Sequence, residues 1–143
     1  MNELSHLAKS IKNFCESHTM VESFVYVDDV SRIPELGEAF RRVILFPLTF
    51  EINNDTYVVS FGMVVQDKVR GLDFTAHIKS QEANMYIIGE IEEYLYQIDN
   101  DITITDTEFV PNEQNDAGEN ITAAVATVNA QFHRYRYTDS GTE

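Results

Sequence analysis

Leu4, Leu7, Ala8, Ile11, Phe14 and Cys15 recur at the three-and-four spacing that lines one face of a helix, with Lys9, Lys12, Asn13 and Glu16 on the other side. The chain therefore opens with an amphipathic helix. Met20 to Val27 is rich in β-branched and aromatic residues and predicts a short strand. From Asp28 to Arg42 the pattern turns polar, with Pro34 and Gly37, and predicts a connection with a helical turn near Glu38 to Arg42. A strict alternation follows. Ile44, Phe46, Leu48, Phe50 and Ile52 alternate down one strand, and Tyr57, Val59, Phe61, Met63 and Val65 alternate up the next. Between them Asn53-Asn54-Asp55 supplies residues that tolerate the positive φ of a tight reversal. Pro47 has no N–H for a ladder, so its strand is expected at an edge or bulged there.

Val69 to Lys79 reads as a loop, and Ile87, Ile88, Ile91, Tyr94, Leu95 and Ile98 mark a second helix from about Gln81 to Ile98. Gly89 inside it costs about 1 kcal/mol relative to alanine and predicts a close packing contact. A strand from Asp101 to Phe109, a loop from Pro111 to Asn120 and a last strand from Ile121 to about Tyr135 complete the pattern. Ala123, Ala124, Ala126 and Ala130 on that strand suit close cover by a helix. The order predicts an α+β fold: a mainly antiparallel sheet with a long β-hairpin and two helices packed on one face. The expected organisation is one domain over residues 1–137 and a disordered tail over 138–143.

Charge changes this picture. The net charge is −14 over 143 residues, and it is regional. From Ser80 to His133 there is no lysine or arginine, while Glu82, Glu90, Glu92, Glu93, Asp99, Asp101, Asp106, Glu108, Glu113, Asp116 and Glu119 are all acidic. A field of that sign repels phosphate backbones and attracts basic partners, so ordinary nucleic-acid binding is disfavoured. The structural alternative is a solvated acidic surface that aids solubility. Arg32, Arg41 and Arg42 precede the hairpin, Lys68, Arg70 and Lys79 follow it, and Arg134 and Arg136 lie beyond the last strand. If the two connections meet at one end, a positive edge faces a negative half, which suits head-to-tail contact between copies of the chain.

Motifs for chemistry are few. The glycines are scattered singly, without a phosphate-cradling loop, and no nucleophile elbow, zincin helix or calcium loop occurs. Cys15 and His18 have C-x-x-H spacing without further ligands nearby, which is weak evidence for zinc. His6, His77 and His133 are isolated, and the neighbours in Asp28-Asp29 and Glu92-Glu93 point apart on any regular element. Neither a cofactor nor an enzymatic activity is expected. A single cysteine forms no internal disulfide, the opening is too polar for a signal peptide, and no apolar run is long enough for a membrane span. An intracellular place of synthesis, with no membrane partner, is the expectation.

The stretches SIKNFCESHTMVESFVYVDDV, VILFPLTFEINNDTYVVSFGMVVQDKV, EANMYIIGEIEEYLYQI and NDAGENITAAVATVNAQFHRY, in that order, cover most of the chain. In them the chain resembles the tail-terminator and head-to-tail joining (neck ring) proteins of tailed bacteriophages. That family is held together by order and pattern rather than by catalytic residues, and the connection from Asp28 to Arg42 is longer than its pattern. The resemblance implies a virion structural protein of the neck or tail. It would form a ring of identical subunits that meets portal, adaptor or tail-tube proteins and passes DNA without tight binding. On that basis Arg32, Arg41 and Arg42 are candidates for the subunit interface, and Glu113, Asp116 and Glu119 for an acidic lumen or a contact with an adjoining ring. The alternative is an acidic DNA mimic that occupies the basic groove of a host nucleic-acid-binding protein.

Overall fold

The computed structural model of the chain describes residues 4–35, 39–69, 73–99, 101–114 and 119–133, with 30, 34–35 and 111–114 described by backbone alone. Eight elements follow in order: α1 (Leu4–Ser17), β1 (Ser23–Tyr26), a 3-10 turn (Val30–Glu35), β2 (Arg42–Asn53), β3 (Thr56–Val69), α2 (Phe74–Ile98), β4 (Ile102–Gln114) and β5 (Asn120–His133). The strands form one sheet in the order β1-β2-β3-β5-β4. Only β1 and β2 run parallel; every other pair is antiparallel. The fold is α+β, with a mixed, mostly antiparallel sheet. The expected tail at 138–143 and the end of the expected domain lie outside the described residues.

Both helices cover the same face of the sheet. Leu7, Ile11 and Cys15 of α1 and Ile87, Ile88, Ile91 and Leu95 of α2 are buried against the alternate residues Val59, Phe61, Met63 and Val65 of β3 and Ala124, Ala126, Val128, Ala130 and Phe132 of β5. The alanines of β5 leave room for α2 to approach, since a small side chain shortens the helix–sheet distance. Ala123 differs: it belongs to the reverse face, with Val27, Ile44 and Val64, where Val25, Ile33 and Phe46 complete a smaller cluster. Asn54, at φ 51°, makes the hairpin reversal.

Pro47 marks a change of face. Cross-strand partners run in step from Arg42↔Gln66 to Pro47↔Phe61, then skip Leu48 and resume at Thr49↔Ser60. The extra residue inverts the pleat. Ile44 and Phe46 therefore lie on the reverse face, whereas Phe50 and Ile52 share the helix side with Val59 and Tyr57. The single apolar row expected from Ile44 to Ile52 is split in two. Phe46 lies across from Gly62, and a Cβ built on Gly62 would clash with the far edge of its ring. The glycine is required there by its aromatic neighbour.

Other boundaries shift for local reasons. Helix α2 begins at Phe74, so most of the expected loop from Val69 to Lys79 is helical. Asp73 caps it, its carboxylate accepting from the Thr75 N–H at 3.1 Å. The expected turn at Glu38 to Arg42 is replaced by the 3-10 turn at Val30–Glu35; residues 36–38 lie outside the described residues, and Arg42 already opens β2. Strand β4 continues to Gln114, through Pro111, which an edge strand tolerates beside the register shift between Val110 and Glu113.

Gly89 has no packing contact among the described residues: a Cβ there meets nothing of them within 4 Å. The expected close approach is absent, and only the propensity cost remains. Gly89→Ala is therefore expected to stabilise the fold by about 1 kcal/mol. A rise in the chemical-denaturation midpoint would register it, and a drop would reveal a contact made by Gly89 in the folded chain.

Candidate functional site

The start of β2, the ends of β3 and β4, the start of β5 and the N-terminal half of α2 all meet at one end of the sheet. Every described residue singled out for function except Arg32 lies there. On the helix side, Arg41 donates from Nη2 to Asp67 Oδ2 at 2.6 Å and from Nε to Asn84 Oδ1 at 3.2 Å. Ser80 Oγ donates to the same Asp67 oxygen at 2.9 Å. With its hydrogen committed, Ser80 accepts from Thr122 Oγ1, 2.6 Å away. Asn84 Nδ2 donates to Thr122 Oγ1 and Gln81 Oε1, each at 3.2 Å. Asn84 and Thr122 are wholly buried, and no buried side-chain polar atom among the described residues lacks a partner.

A second layer lies on the reverse face. Arg42 is buried, donates from Nε to Gln66 Oε1 at 2.9 Å, and stacks 4.3 Å from the Phe40 ring centroid. Lys68 Nζ is 5.8 Å from that centroid and 3.6 Å from Glu119 Oε1. Of the positive edge expected from the sequence, Arg41, Arg42 and Lys68 are thus engaged within the chain, and Arg70 lies outside the described residues. Arg41 and Arg42 hold β2 to β3 and α2, and double alanine replacement would read folding before it read assembly. Arg32 stands apart, exposed on the 3-10 turn, 3.4 Å from Asp28. The chain brings Glu119 to Lys68. Glu113 lies on β4 with its backbone opposite Ile121, and Asp116 lies outside the described residues.

The polar network escaped the sequence reading, although a signal existed. Ser80, Gln81 and Asn84 continue the stripe of Ile87, Ile88 and Ile91 toward the N-terminus, so the buried face of α2 becomes polar where it meets Asp67 and Thr122.

The residues examined for chemistry have structural surroundings. Cys15 is buried in α1, and burial, reinforced by the neighbouring Glu16 carboxylate, pushes its thiol up to about 12. His18 Nδ1 accepts from the Met20 N–H at 3.1 Å, which assigns the ring hydrogen to Nε2, and Nε2 donates to Glu90 Oε1 at 2.6 Å. That bond ties the end of α1 to the middle of α2. No group of three His, Cys, Asp or Glu side chains suited to a metal ion occurs among the described residues. The outer face of α2 is acidic and aromatic: Tyr86 and Tyr96 are exposed, and the Glu90 carboxylate holds the Tyr86 phenol above its usual value. No helix among the described residues is long and apolar enough to cross a membrane.

Comparison of the chain with models of known protein families gives no match, and comparison with curated proteins gives none either.

Proposed function

We propose that the protein is a structural component of a tailed-phage virion, one subunit of a homo-oligomeric ring at the head-to-tail neck or tail end. The ring would contact portal, adaptor or tail-tube proteins, and DNA would pass through it. The observation that carries this reading is the separation of charge across the sheet. The arginine- and lysine-free stretch from Ser80 to His133 forms most of α2 together with β4 and β5, the adjacent strands on one side of the sheet. The lysines and arginines of the described residues belong to α1, the 3-10 turn, the segment at Arg41–Arg42, β3 and the first turns of α2. A subunit with one strongly negative side and one near-balanced side favours head-to-tail neighbours over face-to-face pairs, because like sides repel. A negative surface facing the channel would keep phosphates moving, since repulsion favours sliding over binding.

The connection from Glu113 to Glu119 is the candidate for that surface. Glu119 pairs with Lys68, so the clean test alters the other two acids. Virions carrying Glu113→Lys and Asp116→Lys are expected to assemble normally and to eject DNA several-fold more slowly, the effect shrinking as salt rises. Unchanged ejection kinetics in assembled particles would remove the lumen assignment.

A further inference from the structure

The two edges of the sheet differ. Strand β1 pairs with β2 only from Arg42 to Leu45, and no described strand covers the edge from Phe46 to Asn53. Leu48, Phe50 and Ile52 on that edge are each at least half exposed. It carries no lysine, which natural edges use as a guard. Strand β4, at the opposite edge, is interrupted twice, between Thr105 and Glu108 and between Val110 and Glu113, with Asp106 at φ 55°. Bulges of this kind discourage a further strand. The β2 edge carries Pro47 and its own bulge at Leu48, but from Thr49 to Asn53 its register is unbroken and no described strand covers it.

Beyond His133, outside the described residues, the sequence offers a matching segment. Arg134-Tyr135-Arg136-Tyr137-Thr138 alternates cationic and aromatic residues, and its two arginines are the only cations after Lys79. The open edge carries Glu51, with Asp55 at the turn, and no lysine or arginine occurs between Arg42 and Lys68. In an added strand, the tyrosines would share the helix-side face with Phe50 and Ile52, and the arginines would share the reverse face with Glu51. The same chain cannot make this contact with those residues. His133 ends β5 opposite Thr56, so an added strand lies three strand spacings away, about 14 Å, beyond β3 and β2. Crossing that distance around the hairpin uses about four or five residues and spends the alternating segment on the way.

We propose that residues Arg134 to Thr138 of one copy add as a strand to the Thr49–Asn53 edge of the next. Donor and acceptor are different surfaces, so the contact is head-to-tail and repeats around a closed assembly. Its biological role rests on the ring reading; its chemistry does not.

The test mixes two pools of full-length chain, one carrying Ile52→Cys and the other Tyr135→Cys, with a short bis-maleimide. Cys15 is buried and stays out of the reaction. A mixed dimer linking positions 52 and 135 is expected. Arg134→Glu with Arg136→Glu in the donor should cut its yield about tenfold, and Glu51→Arg in the acceptor should restore much of the loss. Absence of the mixed dimer, linkage only between two acceptor chains, or a yield indifferent to charge reversal would each overturn the proposal. None of these results bears on whether the protein resides in particles, which is measured separately.

Discussion

Asp67→Ala is expected to cost about 3 kcal/mol, the scale for removing one member of a largely buried ion pair. The Asp67 carboxylate receives both Arg41 Nη2 and Ser80 Oγ, and the side chains of Arg41 and Asp67 are only 16% and 20% exposed. Its loss would leave a guanidinium and a hydroxyl short of water and partner, with Thr122 and Asn84 bonded onward through them. A lower denaturation midpoint at unchanged m-value would report this. The double variant Arg41→Met with Asp67→Leu should recover much of the loss, because it removes both charges from the site. A cost below about 1 kcal/mol for Asp67→Ala would mean that water satisfies these groups and that the network contributes as an exposed pair would.

The second large effect compares two residues of one strand. Leu45 is fully buried in the helix-side core, and Leu45→Ala should cost roughly 3 kcal/mol through lost burial and a residual cavity. Phe50, five residues on, is 56% exposed, and Phe50→Ala should cost well under 1 kcal/mol. Strand β2 would then be core in its first third and free surface in its distal half. Equal costs would mean that Phe50 is covered in the folded chain, and the open edge would disappear with the contrast.

Much of this architecture was legible in the sequence because it rests on periodicity. The stripes Leu7–Ile11–Cys15 and Ile87–Ile91–Leu95 and the alternation from Tyr57 to Val65 bury what they predict. The failures share a cause: each lies where burial and hydrophobicity part company. The first turn of α2 exposes Phe74 and the next turns bury Ser80, Gln81 and Asn84, so the apolar count there resembled a loop. The bulge at Leu48 is invisible to a rule of alternation, although Pro47 marked its place. Gly89 suggested a contact because glycine in a helix has a cost, but nothing among the described residues approaches it.

The candidate site was legible only in part. The basic residues around the hairpin do gather at one end, but their partners, Asp67, Asn84, Gln66 and Glu119, come from distant parts of the sequence. Pairing of that kind depends on register, which local pattern does not encode. The exposed acidic side needed no register, since a stretch without cations is negative wherever it folds.

If the proposed ring function holds, the source is a phage, and quantitative mass spectrometry of its purified particles, comparing this chain with the major capsid protein, tests the central claim most directly. The ring reading predicts a small, fixed copy number, consistent with one ring per particle. Absence from intact particles would contradict it and bring forward the acidic mimic, to be sought by titration against basic DNA-binding proteins.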